Sequence, residues 1–199
     1  MTSAQPIASE YSVCDKLESV TLVDFENNAV GSCGKITAHR AGKLHRAFSI
    51  LITNQDGELL LQRRAAHKYH FAGRWSNTCC GHPRPGEQTL AAARRRLREE
   101  LGFSVPLEEI DKLQYRTVDP TSGLIEHEHL HVFQGYYAGE PCPNPDEVGA
   151  YRWMLPDRVR RSLVLYPGTF TPWFALLAAT LVGRDGIGPC WNERLINHG

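Results

Sequence analysis

The stretch from Asn77 to Phe103 constrains this chain more than any other: a Cys-Cys-Gly-His run leads through a Pro-Gly loop into a charged segment. In that segment Leu90, Ala93, Leu97 and Leu101 recur at spacings of three and four, which predicts a helix with one apolar stripe. Gly102 stands where a left-handed C-cap residue belongs. Arg95, Arg96, Arg98, Glu99 and Glu100 crowd the last turns, and Arg96 and Glu100, four apart, share a face. Taken alone, such a helix is a solvated face laced with ion pairs. Its neighbours in sequence decide whether it is more.

Upstream, Val20 to Val23 has the composition of a short strand, Asn27 to Gly34 is turn-rich, and Ala47 to Thr53 is an apolar run that predicts a buried strand. Asn54-Gln55-Asp56-Gly57 reads as a hairpin turn, because Asp-Gly supplies the positive φ, with Leu59 to Arg64 as the returning strand. A loop follows over residues 65–76. Downstream, Leu113 to Asp119 and Leu124 to Tyr137 are strand-like, with a turn at Pro120 to Gly123. The proline-rich run Pro141 to Pro145 is a connector, Tyr151 to Met154 a short last strand, and Pro172 to Val182 a packed helix. Strands on both sides of a central helix predict one mixed α/β (α+β) domain over residues 19–183. A flexible arm (1–18) precedes it and a tail (184–199) follows.

With 199 residues the chain suits a single core, and 22 basic against 22 acidic residues exclude the charge footprint of a general nucleic-acid binder. The longest apolar patch, Trp173 to Val182, is too short to span a membrane. Six scattered cysteines, and a start without an apolar signal region, point to free thiols in a reducing cytoplasm.

Gly81, Glu87, Arg95, Glu99, Glu100 and Gly102 fall at the spacings of the Nudix box, a loop-helix whose carboxylates hold divalent metal against a diphosphate. Arg96 stands where the box has another glutamate. Losing that carboxylate argues against hydrolysis, because several hard oxygen ligands are needed to hold Mg2+ and activate water. With this departure and the preceding Cys80-Gly81-His82, the chain resembles the type I isopentenyl-diphosphate isomerases of the Nudix superfamily. Matching positions extend over residues 20 to 175: Lys35, His39 and His45; Arg63, Arg64 and Lys68; Gly73, Trp75 and Asn77; Tyr115, Arg116 and Pro120; Glu126 and Glu128; Pro172 and Trp173.

The resemblance implies a Nudix-like mixed sheet between helices, with the loop-helix at residues 81–103. The implied reaction moves a double bond between isopentenyl and dimethylallyl diphosphate. It requires one proton added to an unactivated alkene, another removed from the neighbouring carbon, a grip on a diphosphate, and tolerance of a carbocation. Cys80 is the implied first acid/base group, with adjacent Cys79 as the competing thiol. Glu128 is the second, helped by Tyr115, and Trp173 offers its π face to the cation. Lys35, Arg64, Lys68 and Arg96 are the implied diphosphate clamp.

Two metal arrangements are open. The family pattern implies His39, His45, His82, Glu126 and Glu128 around one Mn2+, Zn2+ or Mg2+. The strand alternation of residues 126–131 also puts His127, His129 and His131 on one shared face. A second ion, Mg2+ arriving with the diphosphate, is implied at Glu100 and the backbone carbonyl of Cys80. The expected partner is a small prenyl diphosphate, with no nucleic acid and no membrane, in a monomer or weak homodimer. The competing functions are a Nudix diphosphate hydrolase and a non-catalytic diphosphate-binding module.

Overall fold

Strand β3 (His45–Thr53) is the axis around which this computed structural model, describing residues 18–182, is built. From Ala47 onward every position of β3 is buried, as a strand covered on both faces requires. It runs antiparallel to β1 (Ser19–Val23), β4 (Leu59–Arg64) and β6 (Cys79–Gly81). Alongside β8 (Ile125–Tyr136) it runs parallel, in register from His45 opposite Glu128 to Thr53 opposite Tyr136. β2 (Ala29–Gly34) extends β1, β7 (Glu108–Val118) extends β8, and β9 (Val148–Met154) and β5 (Trp75–Ser76) flank β4. Together these make one mixed sheet of nine strands.

Alternation along β3 and β8 separates two cores. Phe48, Ile50, Ile52 and Phe133 face α2 (Thr89–Leu101) through Ala93, Leu97 and Leu101. Ala47, Leu51, Leu130 and Val132 face α4 (Pro172–Val182) through Trp173, Phe174 and Leu177, with Val159 of α3 (Pro156–Leu165) beside them. The expected sheet between helices is therefore present, and α2 carries the predicted apolar stripe. It stops at Gly102, where φ is 78° and an added Cβ would lie 2.8 Å from the carbonyl oxygen of Cys142. Only glycine satisfies both conditions.

Several local expectations shift. The region expected as turn-rich contains β2, and a helix the sequence does not announce, α1 (Lys35–Ala41), follows it; seven residues are too few for periodicity to show. α3 opens with Pro156 at its first turn, a start signal followed by too few apolar residues to stand out. The Asp-Gly turn forms, with φ 71° at Gly57, but β3 and β4 pair only at Thr53 and Leu59. Beyond that point β6 and β8 take the edges of β3, and β9 takes β4. The Glu18 carbonyl, in the last residue of the expected arm, accepts the Lys35 N–H at 2.8 Å. The rest of the arm and the tail lie outside the described residues.

Candidate active site

The β3–β8–β7 register places His45, Glu128 and Tyr115 side by side across three strands. β6 brings Cys80 opposite Ser49. α1 supplies His39, and the chain just after β6 supplies His82. In consequence His39, His45, His82, Glu126 and Glu128 present ligand atoms that all lie within 4.8 Å of one another.

The histidine rings are oriented from behind. Nδ1 of His39 donates to the Lys35 carbonyl at 2.7 Å, and Nδ1 of His45 to the Lys43 carbonyl at 2.8 Å, which leaves both Nε2 lone pairs facing inward. His45 Nε2 is 3.2 Å from His82 Nε2, and His82 Nε2 is 2.9 Å from Glu128 Oε1. His39 Nε2 and Glu126 Oε2 stand 3.2 Å apart, each buried without a hydrogen-bond partner. Two facing acceptors call for positive charge between them. Burial opposes charge on His39, yet the Glu126 carboxylate outweighs it and raises the ring's pKa. Burial and the neighbouring His39 lower His45 to about 4, and burial and His45 hold His82 well below the usual range. With His45 and His82 held neutral and His39 facing the Glu126 carboxylate, three imidazoles beside two carboxylates are a donor set of mixed nitrogen and oxygen character that suits a divalent cation.

The second arrangement, on the opposite face of β8, is not assembled. His127 Nδ1 donates to the Gly42 carbonyl at 2.9 Å, while His131 meets Asn27 at 3.0 Å and Glu109 at 3.4 Å. His127 and His131 are thus engaged with other partners, and the three histidines do not come together as a ligand group. Among the described residues, the five-residue cluster is the one grouping of metal-ligating side chains.

Cys80 Sγ lies 3.3 Å from Ser49 Oγ and 3.1 Å from Asn77 Oδ1. Burial pushes its pKa up to about 12, against the lowering effect of those two contacts, so at neutral pH it is a thiol with a proton to give. Cys79 points the other way, fully buried in the core under α2. Glu128 sits across the cleft: burial and the nearby Glu126 carboxylate push its pKa well above the usual range, and the Tyr115 hydroxyl donates to its Oε2 at 2.7 Å. Glu126 differs, since His39 and His70 outweigh its burial and hold it low.

Lys35, Arg64, Lys68 and Arg96 line one cleft with Cys80, Glu100, Glu128 and Trp173, a space of about 690 Å3 including its open mouth. Each cation is held ready by a partner. Lys35 pairs with Glu18 and Lys68 with Glu147, both at 2.7 Å. Arg96 reaches Glu100 at 2.6 Å and Glu147 at 3.1 Å. Arg64 lies 5.6 Å from the Trp173 ring centre and donates to the His70 carbonyl at 3.2 Å. Glu87 and Arg95, two further charged members of the box, form a bidentate pair at 2.8 and 2.9 Å that ties the loop to the helix, and Glu99 joins Arg95 at 3.2 Å.

Sequence reasoning missed His70, Glu147, Glu18 and Gln62, which all line the cleft. Gln62 donates to Glu100 Oε2 at 3.0 Å. None lies in a periodic segment that would have singled it out, and Asn77 and Ser49 gain their roles only by touching the thiol.

Residues 43–174 match the family model of the NUDIX domain. The chain is 48% identical over 163 residues to "Isopentenyl-diphosphate Delta-isomerase" of Halorhodospira halophila, covering 81% of this chain and 93% of that protein. It is also 48% identical over 168 residues to "Isopentenyl-diphosphate Delta-isomerase 2" of Photorhabdus laumondii, covering 84% and 94%. A solved structure from Deinococcus radiodurans shares the fold, with a TM-score of 0.69 at 20% identity over 82% of this chain and 98% of that one. With the cysteine, the paired glutamates and the arginine-bearing helix gathered in one cleft, the chain belongs to the isopentenyl-diphosphate Delta-isomerase family of the NUDIX superfamily.

Proposed function

We infer that this chain interconverts isopentenyl and dimethylallyl diphosphate, and we propose that Cys80 and Glu128 carry the two proton transfers. The observation behind the roles is the pairing of a protonated thiol with a tyrosine-held carboxylate in one cleft whose other end is cationic. Lys35, Arg64, Lys68 and Arg96 bind the diphosphate, and Lys35, Lys68 and Arg96 exchange their carboxylate partners for phosphate oxygens. The Cys80 thiol then protonates the terminal alkene carbon, and the tertiary cation that results faces Trp173. Glu128 removes a proton from the adjacent carbon, with Tyr115 holding its second oxygen. The sum leaves Cys80 a proton short and Glu128 a proton long, so a proton returns between them before the next turnover in the same direction.

His39, His45, His82, Glu126 and Glu128 are the residues that would hold a resident Mn2+, Zn2+ or Mg2+. Its charge would keep Glu128 ionised despite burial beside Glu126. Glu100 and the Cys80 carbonyl would take Mg2+ entering with the diphosphate. Free Cys33, Cys79, Cys80 and Cys142 suit a reducing cytoplasm, and residues 19–183 form the catalytic unit.

Incubating the protein with isopentenyl diphosphate and Mg2+ in deuterated water, followed by NMR, tests the reading. Deuterium in dimethylallyl diphosphate is the expected result. Release of inorganic phosphate would mark a hydrolase, and binding without either product a non-catalytic module.

A further inference from the structure

Glu126 and Glu128 are held in matching ways. Each turns one oxygen to the histidine cluster: Glu126 Oε2 to His39 at 3.2 Å, and Glu128 Oε1 to His82 at 2.9 Å. Each gives its other oxygen to a group from a separate element. For Glu128 that group is the Tyr115 hydroxyl, and for Glu126 Oε1 it is Nε2 of His70. We propose that His70 is a positioning residue of the cation centre, donating from Nε2 to Glu126 Oε1 so that Oε2 stays aimed at the ion. The inference rests on reading the five-residue cluster as a metal centre.

His70 is fixed from every side. It is buried, and its ring lies 4.2 Å from the Tyr69 ring and 5.5 Å from that of His39. Its carbonyl accepts from Arg64 at 3.2 Å. The next residue, Phe71, has φ 47°, a left-handed conformation that a bulky side chain rarely adopts. Two contacts impose it: the Phe71 N–H donates to Asp119 Oδ2 at 3.1 Å, and the Phe71 ring packs edge-on to Trp173 at 5.2 Å. Strain of this kind persists where the surroundings over-determine the backbone, and here it aims the preceding side chain at Glu126. His70 Nδ1 has no hydrogen-bond partner, so the neutral ring satisfies the site with its proton on Nε2, the nitrogen that faces an acceptor. His70 stands outside the common centre of the five ligand atoms, since it meets the outward oxygen of Glu126. Groups that orient metal-binding carboxylates in this way are worth about 10–100-fold in metal affinity.

The test measures Zn2+ and Mn2+ affinity of the full chain by competition with a chromophoric chelator, in wild type, H39A, H70A, H70Q and H70N, with melting curves in excess chelator. Wild type is expected to take up the ion and H39A to lose it. H70A should bind about 10–100-fold more weakly, and H70Q, whose amide nitrogen reaches the place of Nε2, should return to within about threefold of wild type. H70N, one bond too short, should stay with H70A. Wild-type affinity in H70A, with H39A impaired, overturns the role of His70 and leaves the cluster reading standing. Should H70A fail to fold, equal affinities of H70Q and H70N overturn it instead. A wild-type protein that takes up no ion, or an unaffected H39A, sinks the cluster reading and the inference with it.

Discussion

Tyr115 donates to Oε2 of Glu128 at 2.7 Å from the position directly opposite it on the neighbouring strand. Because the β7–β8 register fixes the contact, removing the hydroxyl alone should leave the carboxylate in place but unassisted. Tyr115→Phe should lower kcat by about 10–100-fold, the worth of a hydrogen bond to a charged group, while KM changes little. Steady-state kinetics decide this; a KM rise with unchanged kcat would assign Tyr115 to binding instead.

The two adjacent thiols should behave as opposites. Cys80→Ala is expected to abolish turnover with an unchanged melting temperature. Cys79 sits fully buried in the core under α2, so Cys79→Ala should keep its kcat and lose about 1–3 kcal/mol of stability to the cavity it leaves. Equal loss of turnover in both variants would remove the assignment of the proton donor to Cys80.

Arg96 joins two carboxylates, Glu100 and Glu147. Arg96→Ala should raise KM for the diphosphate at least tenfold, a cost of about 1.4 kcal/mol in binding. It should also destabilise the fold, because Glu100, only 4% exposed, loses its cation. Kinetics and denaturant melts separate the two effects. An unchanged KM would show that the arginine holds only the helix and the β9 approach.

Asp119 is the buried acceptor behind the loop that carries His70 and Phe71, bonded to the Phe71 N–H at 3.1 Å and the Ser122 hydroxyl at 2.8 Å. Burial opposes its charge, but these hydrogen bonds outweigh burial and lower its pKa from the ordinary 3.8. A depressed carboxylate pKa stabilises the fold above the unfolded value, and that contribution is lost as pH falls through the folded value. Asp119→Ala should therefore cost about 1–3 kcal/mol at neutral pH, and the gap to wild type should close as the medium is taken below pH 3.8. Chemical denaturation at a series of pH values measures it; a gap that widens toward acid would contradict this account.

Much of the site was legible in sequence because its members sit on regular elements. The spacing from Gly81 to Gly102 is local to one loop and one helix, and strand alternation alone divides Glu126 and Glu128 from His127, His129 and His131. What stayed hidden depends on the chain meeting itself at long range. Nothing near Ala47 announces that its strand will lie parallel to β8 and leave β4 after one pair. His70 is aimed by a strained backbone at Phe71, held by Asp119 from another segment. Glu147 earns its place only when the approach to β9 meets Lys68 and Arg96.

The parallel pairing of β3 with β8 also sets when the proposed catalytic centre can exist. Antiparallel neighbours can close through a short turn, but the partners His45 and Glu128 meet only after the long intervening chain, α2 included, has collapsed between them. Closing such a loop costs chain entropy that only the non-local contacts offset, so the five-residue cluster cannot form before the β3–β8 pairing does. A chain in which β3 and β8 have not yet paired therefore lacks the arrangement proposed to hold an ion and poise a proton, and metal uptake at the proposed centre should not precede that pairing during refolding.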